Sequence, residues 1–361
     1  MADNMSWFII KSWVIILKNK NLSAMIYALA AALFYALNIP CSKLLLGIIA
    51  PTFMAAFLYI GAGIGVGIMY LFHRPKENPS ERLARKDMPF TVGMVVLDII
   101  APILLMIGVN IGTSANASLL GNFEIVATTV IALFIFKEKV SGKLWTAIGL
   151  ITLSSIILSF GGSGSFRFSV GSLFVLGAAV CWGFENNCTR NISEKSTYQI
   201  VTIKGLFSGV GSLIVAIIIG EKVLQIRYIP FALLLGFVAY GLSIFTYIRA
   251  QKTLGAAKTS AFYSIAPFAG AFLSFIILKE SLTVSYVIAL LIMIAGTVFA
   301  VLDTLAQHHT HEHSHTFTHT HNGETHTHTI THSHEHEHFP NDKNHLHKHS
   351  VAELEKLVSE H

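Results

Sequence analysis

Four ionisable residues interrupt stretches of this sequence that are otherwise uncharged and apolar. They are Asp98, Glu124, Glu185 and Lys204. An ionisable group in such a stretch is costly, so it usually faces a cavity or a partner and marks the path of a solute, an ion or a proton. Asp98 is expected either to pair with Lys204 or to contact a solute, and the sequence leaves both roles open, since buried pairs fix geometry more than they add stability.

Glu124 is the strongest candidate for a functional carboxylate. It lies near the middle of a predicted apolar helix, with Asn122 two residues before it and Asn116 two turns earlier. Desolvation favours the neutral form of a carboxyl group, which suits Glu124 to accept either a proton or a cationic solute. The alternative is a protonated side chain that hydrogen-bonds a neighbouring helix and only holds the helices together.

Glu185 and Asn186 form a polar cluster in a second apolar stretch, and Asn38 precedes Ile39-Pro40 in the first one. A proline removes a backbone hydrogen bond, so a freed carbonyl near Asn38 can also face a cavity. Tyr35 and Trp182, one turn before these polar groups, would supply aromatic walls for a flat or cationic solute. Anchoring at a membrane interface is the alternative role.

Long apolar helices must position these residues. Of 361 residues, 53% are hydrophobic and 12% are charged, about half the charge fraction of a soluble domain. Since about 20 apolar residues span a bilayer, the pattern predicts an all-α integral membrane protein rather than a soluble enzyme. The ten predicted transmembrane helices are 23–46, 51–73, 88–109, 113–136, 142–160, 169–190, 199–219, 229–250, 256–278 and 284–302.

The charges are distributed unevenly along the chain. Residues 1–302 hold 22 Lys/Arg against 11 Asp/Glu, and residues 303–361 hold 3 against 9, so the net charges of +11 and −6 give the overall +5. In the N-terminal segment and the loops between predicted helices, 16 Lys/Arg fall on one side and 5 on the other. This asymmetry predicts cytoplasmic termini in a plasma or inner membrane. The basic charge therefore reflects topology and does not indicate a nucleic-acid partner.

An internal repeat divides the helical body. Residues 28–45 align with 175–192, and the pairs Gly61/Gly65 and Gly205/Gly209 correspond at an offset of 144. Glycines at this spacing favour close helix packing. The predicted organisation is an interfacial segment (1–22), a first five-helix repeat (23–160), a linker (161–168), a second repeat (169–302) and a tail (303–361). Because five is odd, the second repeat is inverted, and such repeats typically enclose a solute site.

The stretch that begins at Tyr247 (YIRAQKTLGAAKTSAFYSIAPFAGAFLSFIILKESL) resembles the second EamA-type repeat of the drug/metabolite transporter superfamily. In that pattern a proline, here Pro267, lies near the middle of a helix and a glutamate, here Glu280, ends the apolar run. The first repeat resembles it too and ends at Glu138, but it has Ile125 where Pro267 would stand. The resemblance implies a ten-helix transporter with cytoplasmic termini. Glu138 and Glu280 are expected to close helix ends rather than to contact a solute.

The tail is rich in histidine that alternates with Thr, Ser or Glu. In an extended chain this alternation places the histidines along one side, and neutral imidazole suits divalent Zn, Ni, Co or Cu. The segment has too few apolar residues for a core, which predicts disorder unless it binds metal. A short helix is predicted after it, with Ser350 and Glu353 as a capping box. The candidate ligands are His308, His309, His311, His313, His315, His319, His321, His326, His328, His332, His334, His336, His338, His345, His347 and His349.

The sequence therefore predicts a transporter that moves a small organic solute (a metabolite, an amino acid or a drug-like cation) by alternating access, with proton exchange as an open question. No cofactor is required, and no nucleophile–base pair or phosphate loop indicates an enzyme. The expected partners are the lipid bilayer, the solute and protons, and a homodimer stays open. The alternative is a divalent-metal transporter, or a membrane-anchored metal sensor or store, that uses the histidine tail.

Overall fold

The computed structural model of the chain describes residues 20–136, 140–160, 169–192, 194–222, 225–254, 259, 262–305, 307–321 and 324–338. For the last two ranges only the backbone is described. Several predicted features lie outside these residues: most of the interfacial segment, Glu138, the linker 161–168 and the terminal helix after Ser350. By its contacts the chain divides into two units, Met1–Val301 and Leu302–His361.

The first unit is built from helices. They are α1 (Lys20–Ala36), α2 (Asn38–Leu46), α3 (Pro51–His73), α4 (Met88–Ile111), α5 (Ser114–Leu120), α6 (Phe123–Phe136), α7 (Gly142–Ser159), α8 (Val170–Arg190), α9 (Thr197–Ile218), α10 (Ile229–Gly236), α11 (Ser243–Leu254), α12 (Ala266–Leu278) and α13 (Val284–Leu305). A π-helix, Phe237–Leu242, joins α10 to α11, and short 3₁₀ turns lie at Arg74–Lys76, Pro79–Glu81, Arg85–Asp87 and Ile226–Tyr228.

Eight segments of the described chain are long and apolar enough to cross a membrane, as judged by length and composition. Two of the ten predicted spans are not among these eight segments. The helix α8 has 21 residues but carries the polar run Glu185, Asn186 and Asn187. The described part of α12 has 13 residues. A multi-pass membrane architecture is therefore confirmed, while the count of ten spans stays a prediction.

Three predicted helices are interrupted. The span 23–46 breaks at Leu37 because Pro40 has no N–H to bond the Ala36 carbonyl, and Leu37 N–H instead donates to Phe34 O at 3.3 Å. The span 113–136 breaks between α5 and α6, and the span 229–250 contains the π-helix. Pro267 lies in the first turn of α12 rather than in mid-helix, because a proline is tolerated where the N–H has no helical partner.

Helices of the first half pack mainly on helices of the second half. The helix α3 packs on α9, α4 packs on α8, and α1 packs on α11. The helix α6 packs on α8, α1 on α12, and α5 on α12. At α7 and α13, Ser154 Oγ donates to Ala289 O at 2.6 Å. The largest buried side chains, among them Leu58, Leu105, Met106 and Leu120, fill the space between these layers.

The second unit contains an antiparallel hairpin of β1 (Gln307–His321) and β2 (Glu324–His338). The register pairs Gln307 with His338 at one end and His321 with Glu324 at the turn. The predicted disorder is therefore wrong for these residues. Alternating histidine and threonine is compatible with a strand because β-branched threonine favours extended backbone, and the pairing satisfies the backbone N–H and C=O groups.

Candidate functional site

Three of the four predicted ionisable residues meet at one point inside the helical body. Lys204 Nζ on α9 lies 3.1 Å from Asp98 Oδ2 on α4 and 2.9 Å from Glu185 Oε1 on α8. The Asp98 and Glu185 side chains are 0% and 3% exposed, and that of Lys204 is 17% exposed. The Lys204 ammonium therefore pairs with two buried carboxylates at once and neutralises them in part.

Two hydroxyl groups donate hydrogen bonds to these carboxylates. The Tyr59 hydroxyl on α3 donates to Asp98 Oδ1 at 2.9 Å. The Thr189 hydroxyl, one turn after Glu185 on α8, donates to Glu185 Oε1. Trp182, one turn before Glu185, is buried and interacts with the Tyr59 hydroxyl. Four helices, α3, α4, α8 and α9, therefore fix the positions of the charged atoms.

Glu124 forms a second polar group beside the first. Its Oε1 accepts a hydrogen bond of 2.6 Å from Asn186 Nδ2, and the same amide lies 3.3 Å from Thr128 Oγ1. Glu124 is close enough to Glu185 and Lys204 to interact with both electrostatically. Unlike Asp98 and Glu185, it is only half-buried. The pair connects α6 of the first half to α8 of the second.

The local backbone around Glu124 differs from the prediction of a mid-helix residue. Glu124 is in the first turn of α6, directly after a break at Gly121 and Asn122 where the N–H groups bond three residues back, as Asn122 N does to Leu119 O at 3.2 Å. An equivalent turn, residues 264–265, precedes α12 in the second half. A carboxylate at a helix start is favoured by the unbonded N–H groups there. The predicted neighbours Asn122 and Asn116 bond instead to Leu119 O and Leu158 O.

An aromatic group lies beside the charged residues. Tyr240, in the π-helix, accepts a hydrogen bond of 2.9 Å from Asn38 Nδ2, next to the Leu37 break. Its ring lies 5.7 Å from Tyr35 and 5.2 Å from Tyr59, measured between centroids. Tyr263 lies 5.9 Å from Tyr35. Tyr35 was predicted as an aromatic wall, and the structure places Tyr240 and Tyr263 beside it.

Tyr59, Tyr240 and Tyr263 were not among the site residues predicted from the sequence. All three are polar aromatic residues inside apolar segments, and that placement was a usable signal, since a buried tyrosine hydroxyl needs a partner. The π-helix at Tyr240 left no signal in the sequence, because it contains no proline and no polar insertion. Such π segments are frequent at functional sites.

A cavity of about 180 Å³ opens beside Asn186, between α6, α7 and α8. Its lining includes Thr128, Asn187 and Arg190, and it lies at the end of the bundle that carries the Lys- and Arg-rich loops. At the same end, His73 stacks on Tyr198 with 4.6 Å between ring centroids, and Arg249 lies over Phe245. The cavity therefore leads from that end toward the Glu124–Asn186 pair.

At the opposite end, charged side chains close helix termini. Lys43 Nζ donates to Val109 O, Asn110 O and Gly112 O at 2.6, 2.9 and 2.8 Å. Glu280 accepts from the backbone N–H groups of Ser114 and Ala115 at 2.7 and 2.9 Å. Glu221 does the same for Thr52 and Phe53. The Glu280 and Glu221 contacts join the two halves at this end, whereas the Lys43 contacts lie within the first half.

The four predicted packing glycines lie at close helix contacts. A Cβ on Gly205 would come within 2.5 Å of Gly63 Cα, and one on Gly209 within 2.6 Å of Ile60. A Cβ on Gly61 would lie 2.0 Å from the Leu233 carbonyl oxygen. On Gly65 it would lie 1.9 Å from the Phe237 ring. These glycines let α3 approach α9 and α10 to backbone contact, and Gly65 leaves room for the Phe237 ring of the π-helix.

Metal-ligating residues do not cluster in the part of the helical body that the structure describes. Among described residues no group of three or more His, Cys, Asp or Glu is arranged to hold a metal ion. The tail histidines are placed by the backbone register alone up to His338, and His345, His347 and His349 lie outside the described residues.

Comparisons with known proteins agree with this architecture. The sequence model of the EamA-like transporter family matches residues 22–160 and, separately, 169–302. The chain is 26% identical over 296 residues to an uncharacterized transporter of Methanothermobacter thermautotrophicus, over 77% of this chain and 85% of that protein. It is 24% identical over 294 residues to the uncharacterized transporter YyaM of Bacillus subtilis, over 78% and 94%. A crystal structure with 18% sequence identity shares the fold, with a TM-score of 0.58 over 78% of this chain and 97% of that chain.

Proposed function

Because the chain belongs to the EamA-like transporter family of multi-pass membrane proteins, we propose that it carries a small organic cation across the membrane in exchange for protons. The observation that carries this proposal is the buried group of three carboxylates and one ammonium, Asp98, Glu124, Glu185 and Lys204. If all four were ionised, the group would carry a net charge of −2. Such a charge inside a membrane is costly unless a proton or a cation offsets it.

We propose that Glu124 binds the proton and the cationic solute in turn. Asp98, Glu185 and Lys204 hold together the helices that surround it. Lys204 pairs with Asp98 and Glu185 through two short contacts, whereas Glu124, among the residues that the structure describes, accepts from the Asn186 amide and is half-buried. A carboxylate with one neutral partner is free to take either a proton or a cationic solute. The tyrosines around Tyr35 provide ring faces that attract organic cations.

Alternating access is proposed from the pairing of the helices. If the second half repeats the first, the contact of α4 with α8 corresponds to that of α11 with α1, and the contact of α6 with α8 corresponds to that of α12 with α1. Both members of each correspondence occur. A two-fold relation between inverted five-helix halves accounts for this pattern and supports ten spans. In such transporters one half rocks against the other around a central site.

The two ends of the helical body differ in whether they are open. The cavity beside Asn186 opens toward the end with the Lys- and Arg-rich loops, which we propose is cytoplasmic, so that both termini lie inside a plasma or inner membrane. The caps formed by Glu221 and Glu280 join the two halves at the other end. We propose that these two caps separate when the site opens to the outside.

Proton exchange is tested with purified protein in liposomes that contain a pH-sensitive dye and an acidic lumen. Quaternary ammonium compounds and cationic amino acids are added outside, because a permanently charged cation does not carry protons through lipid. We expect at least one compound to raise the luminal pH with the natural protein and not with protein-free liposomes. Glu124→Gln should abolish this rise, because an amide does not release a proton at these pH values.

Glu194→Gln is the matched control, since Glu194 lies in an exposed loop and the chemical change is the same. It should exchange protons at the natural rate, as should a chain that lacks residues 308–349. Exchange by Glu124→Gln at the natural rate would refute the role of Glu124. If external zinc or nickel, and none of the organic cations, releases protons through the natural protein, the substrate is a divalent metal instead.

A further inference from the structure

The hairpin β1–β2 brings most of the tail histidines to one face. Residues opposite each other in an antiparallel pair share a face, as do alternate residues along each strand. By the register, odd-numbered positions of β1 therefore share a face with even-numbered positions of β2. Thirteen histidines lie in the two strands, and all except His308 fall on this face, which we name the histidine face. The opposite face carries threonine, serine and the acidic residues Glu312, Glu335 and Glu337.

The histidine face contains two separate groups of metal-ligating positions. In the group far from the turn, His309, His311 and His313 lie directly opposite His336, His334 and His332. In the group at the turn, His319 lies opposite His326 and His321 lies opposite Glu324. Between the groups, two pairs on the same face each combine one histidine with one apolar residue, His315 opposite Ile330 and Phe317 opposite His328. The pattern is therefore two groups in which both opposed positions can bind metal, separated by two pairs in which only one position can.

The spacing in each group suits a single ion. Directly opposed residues in antiparallel strands have Cα atoms roughly 4.5–5.5 Å apart, and alternate residues along a strand are about 7 Å apart. Two adjacent opposed pairs thus bring four ligand-bearing positions close enough to surround one tetrahedral ion. Histidine and carboxylate are both common ligands of Zn²⁺ in four-coordinate sites.

We propose that the hairpin binds divalent transition metal at two independent sites. One site draws on the three opposed histidine pairs of 309–313 and 332–336, and the other uses His319, His321, Glu324 and His326. Binding depends on the strand register, which gathers these positions, and not only on histidine content. The proposal is independent of solute transport, because it concerns the tail unit and is measured as binding.

The first test compares two identical changes on opposite faces. Zinc binding is measured by titration calorimetry and by metal content after dialysis, on the purified full-length protein in detergent. Glu324→Gln should weaken one of the two zinc equivalents by at least about tenfold, since even changes in the second shell of a metal cost 10–100-fold. Glu335→Gln, on the other face, should leave both equivalents unchanged. Equal effects of the two variants would overturn the proposal.

The second test keeps the composition and moves the ligands. The combined change Thr318→His, His319→Thr, His326→Thr and Thr327→His preserves the number of histidines and transfers one opposed pair to the other face. We expect the turn site to be lost and the distant site to keep its natural affinity. An unchanged titration would show that composition alone drives binding, and loss of both zinc equivalents would show that the sites are not independent. Either result overturns the two-site proposal.

Discussion

Replacing Lys204 by methionine removes the one cation between Asp98 and Glu185 while it keeps most of the apolar stem. Lys204 Nζ lies 3.1 and 2.9 Å from the two carboxylates. At an effective dielectric constant of about 20, each contact is worth roughly 5–6 kcal/mol of Coulomb attraction. The cost of burying the ions offsets much of this gain. What remains after the change is two buried carboxylates without a cation, so we expect the free energy of unfolding to fall by about 3–5 kcal/mol.

Equilibrium unfolding in mixed detergent micelles, followed by circular dichroism, measures this loss. The matched control is Lys195→Met in a loop outside the predicted spans, where Lys195 Nζ lies 3.8 Å from Asp87 Oδ2 and donates to Ser80 O at 3.1 Å. It should cost about 1–2 kcal/mol, clearly less than Lys204→Met, because it loses one hydrogen bond and one loose ion pair.

A double variant tests the physical reason for the loss. Adding Asp98→Asn to Lys204→Met removes one of the two stranded carboxylates, and its amide oxygen can still accept from Tyr59. The double variant should therefore be more stable than Lys204→Met alone, with a coupling energy of about 0.5–3 kcal/mol. A loss below about 1 kcal/mol for Lys204→Met, or no recovery in the double variant, would refute the reasoning.

Two further predictions concern the packing of the helices and the closed end of the bundle. Gly205→Ala should destabilise the fold by about 1–3 kcal/mol, because its Cβ would lie 2.5 Å from the Gly63 backbone. The control Gly149→Ala in α7 should be neutral or stabilise by up to about 1 kcal/mol, because a Cβ there meets no atom within 4 Å. Equal melting temperatures of the two variants would contradict this prediction. Glu280→Gln should lose about 0.5–2 kcal/mol, because the amide keeps one acceptor for the Ser114 and Ala115 N–H groups and loses the charge that favours a helix start. Thermal unfolding beside Glu194→Gln measures it, and an unchanged transition would show that this cap does not hold the end together.

The charged residues of the candidate site could be predicted from the sequence by their type and position alone. Asp98, Glu124, Glu185 and Lys204 stand out because charge is rare in apolar helices, and that contrast needs no partner to be seen. The same holds for Asn38 beside Pro40, where proline chemistry predicts a freed carbonyl. By contrast, Glu280 was recognised by its pattern, but its contact with the start of α5 joins residues far apart in the chain.

Local patterns could not show the breaks or the aromatic group. The interruption at Gly121 and Asn122 contains no proline, and each residue alone is tolerated in a helix. The π-helix that places Tyr240 against Asn38 packs on α3, and no proline or polar insertion in its sequence predicts it. A helix prediction rests on propensity and periodicity, which tertiary contacts override at such points.

The sequence by itself determined the membrane character and the set of ionisable candidates, because both follow from the cost of placing polar groups in hydrocarbon. The tertiary structure decided which candidates meet. Asp98, Glu185 and Lys204 lie on three helices, and only the rotation and pairing of those helices brings their charged atoms within 3.1 Å. In the tail, likewise, the alternation of residues predicted that the histidines of an extended segment lie along one side. Only the register of the two strands decided which histidines lie opposite each other.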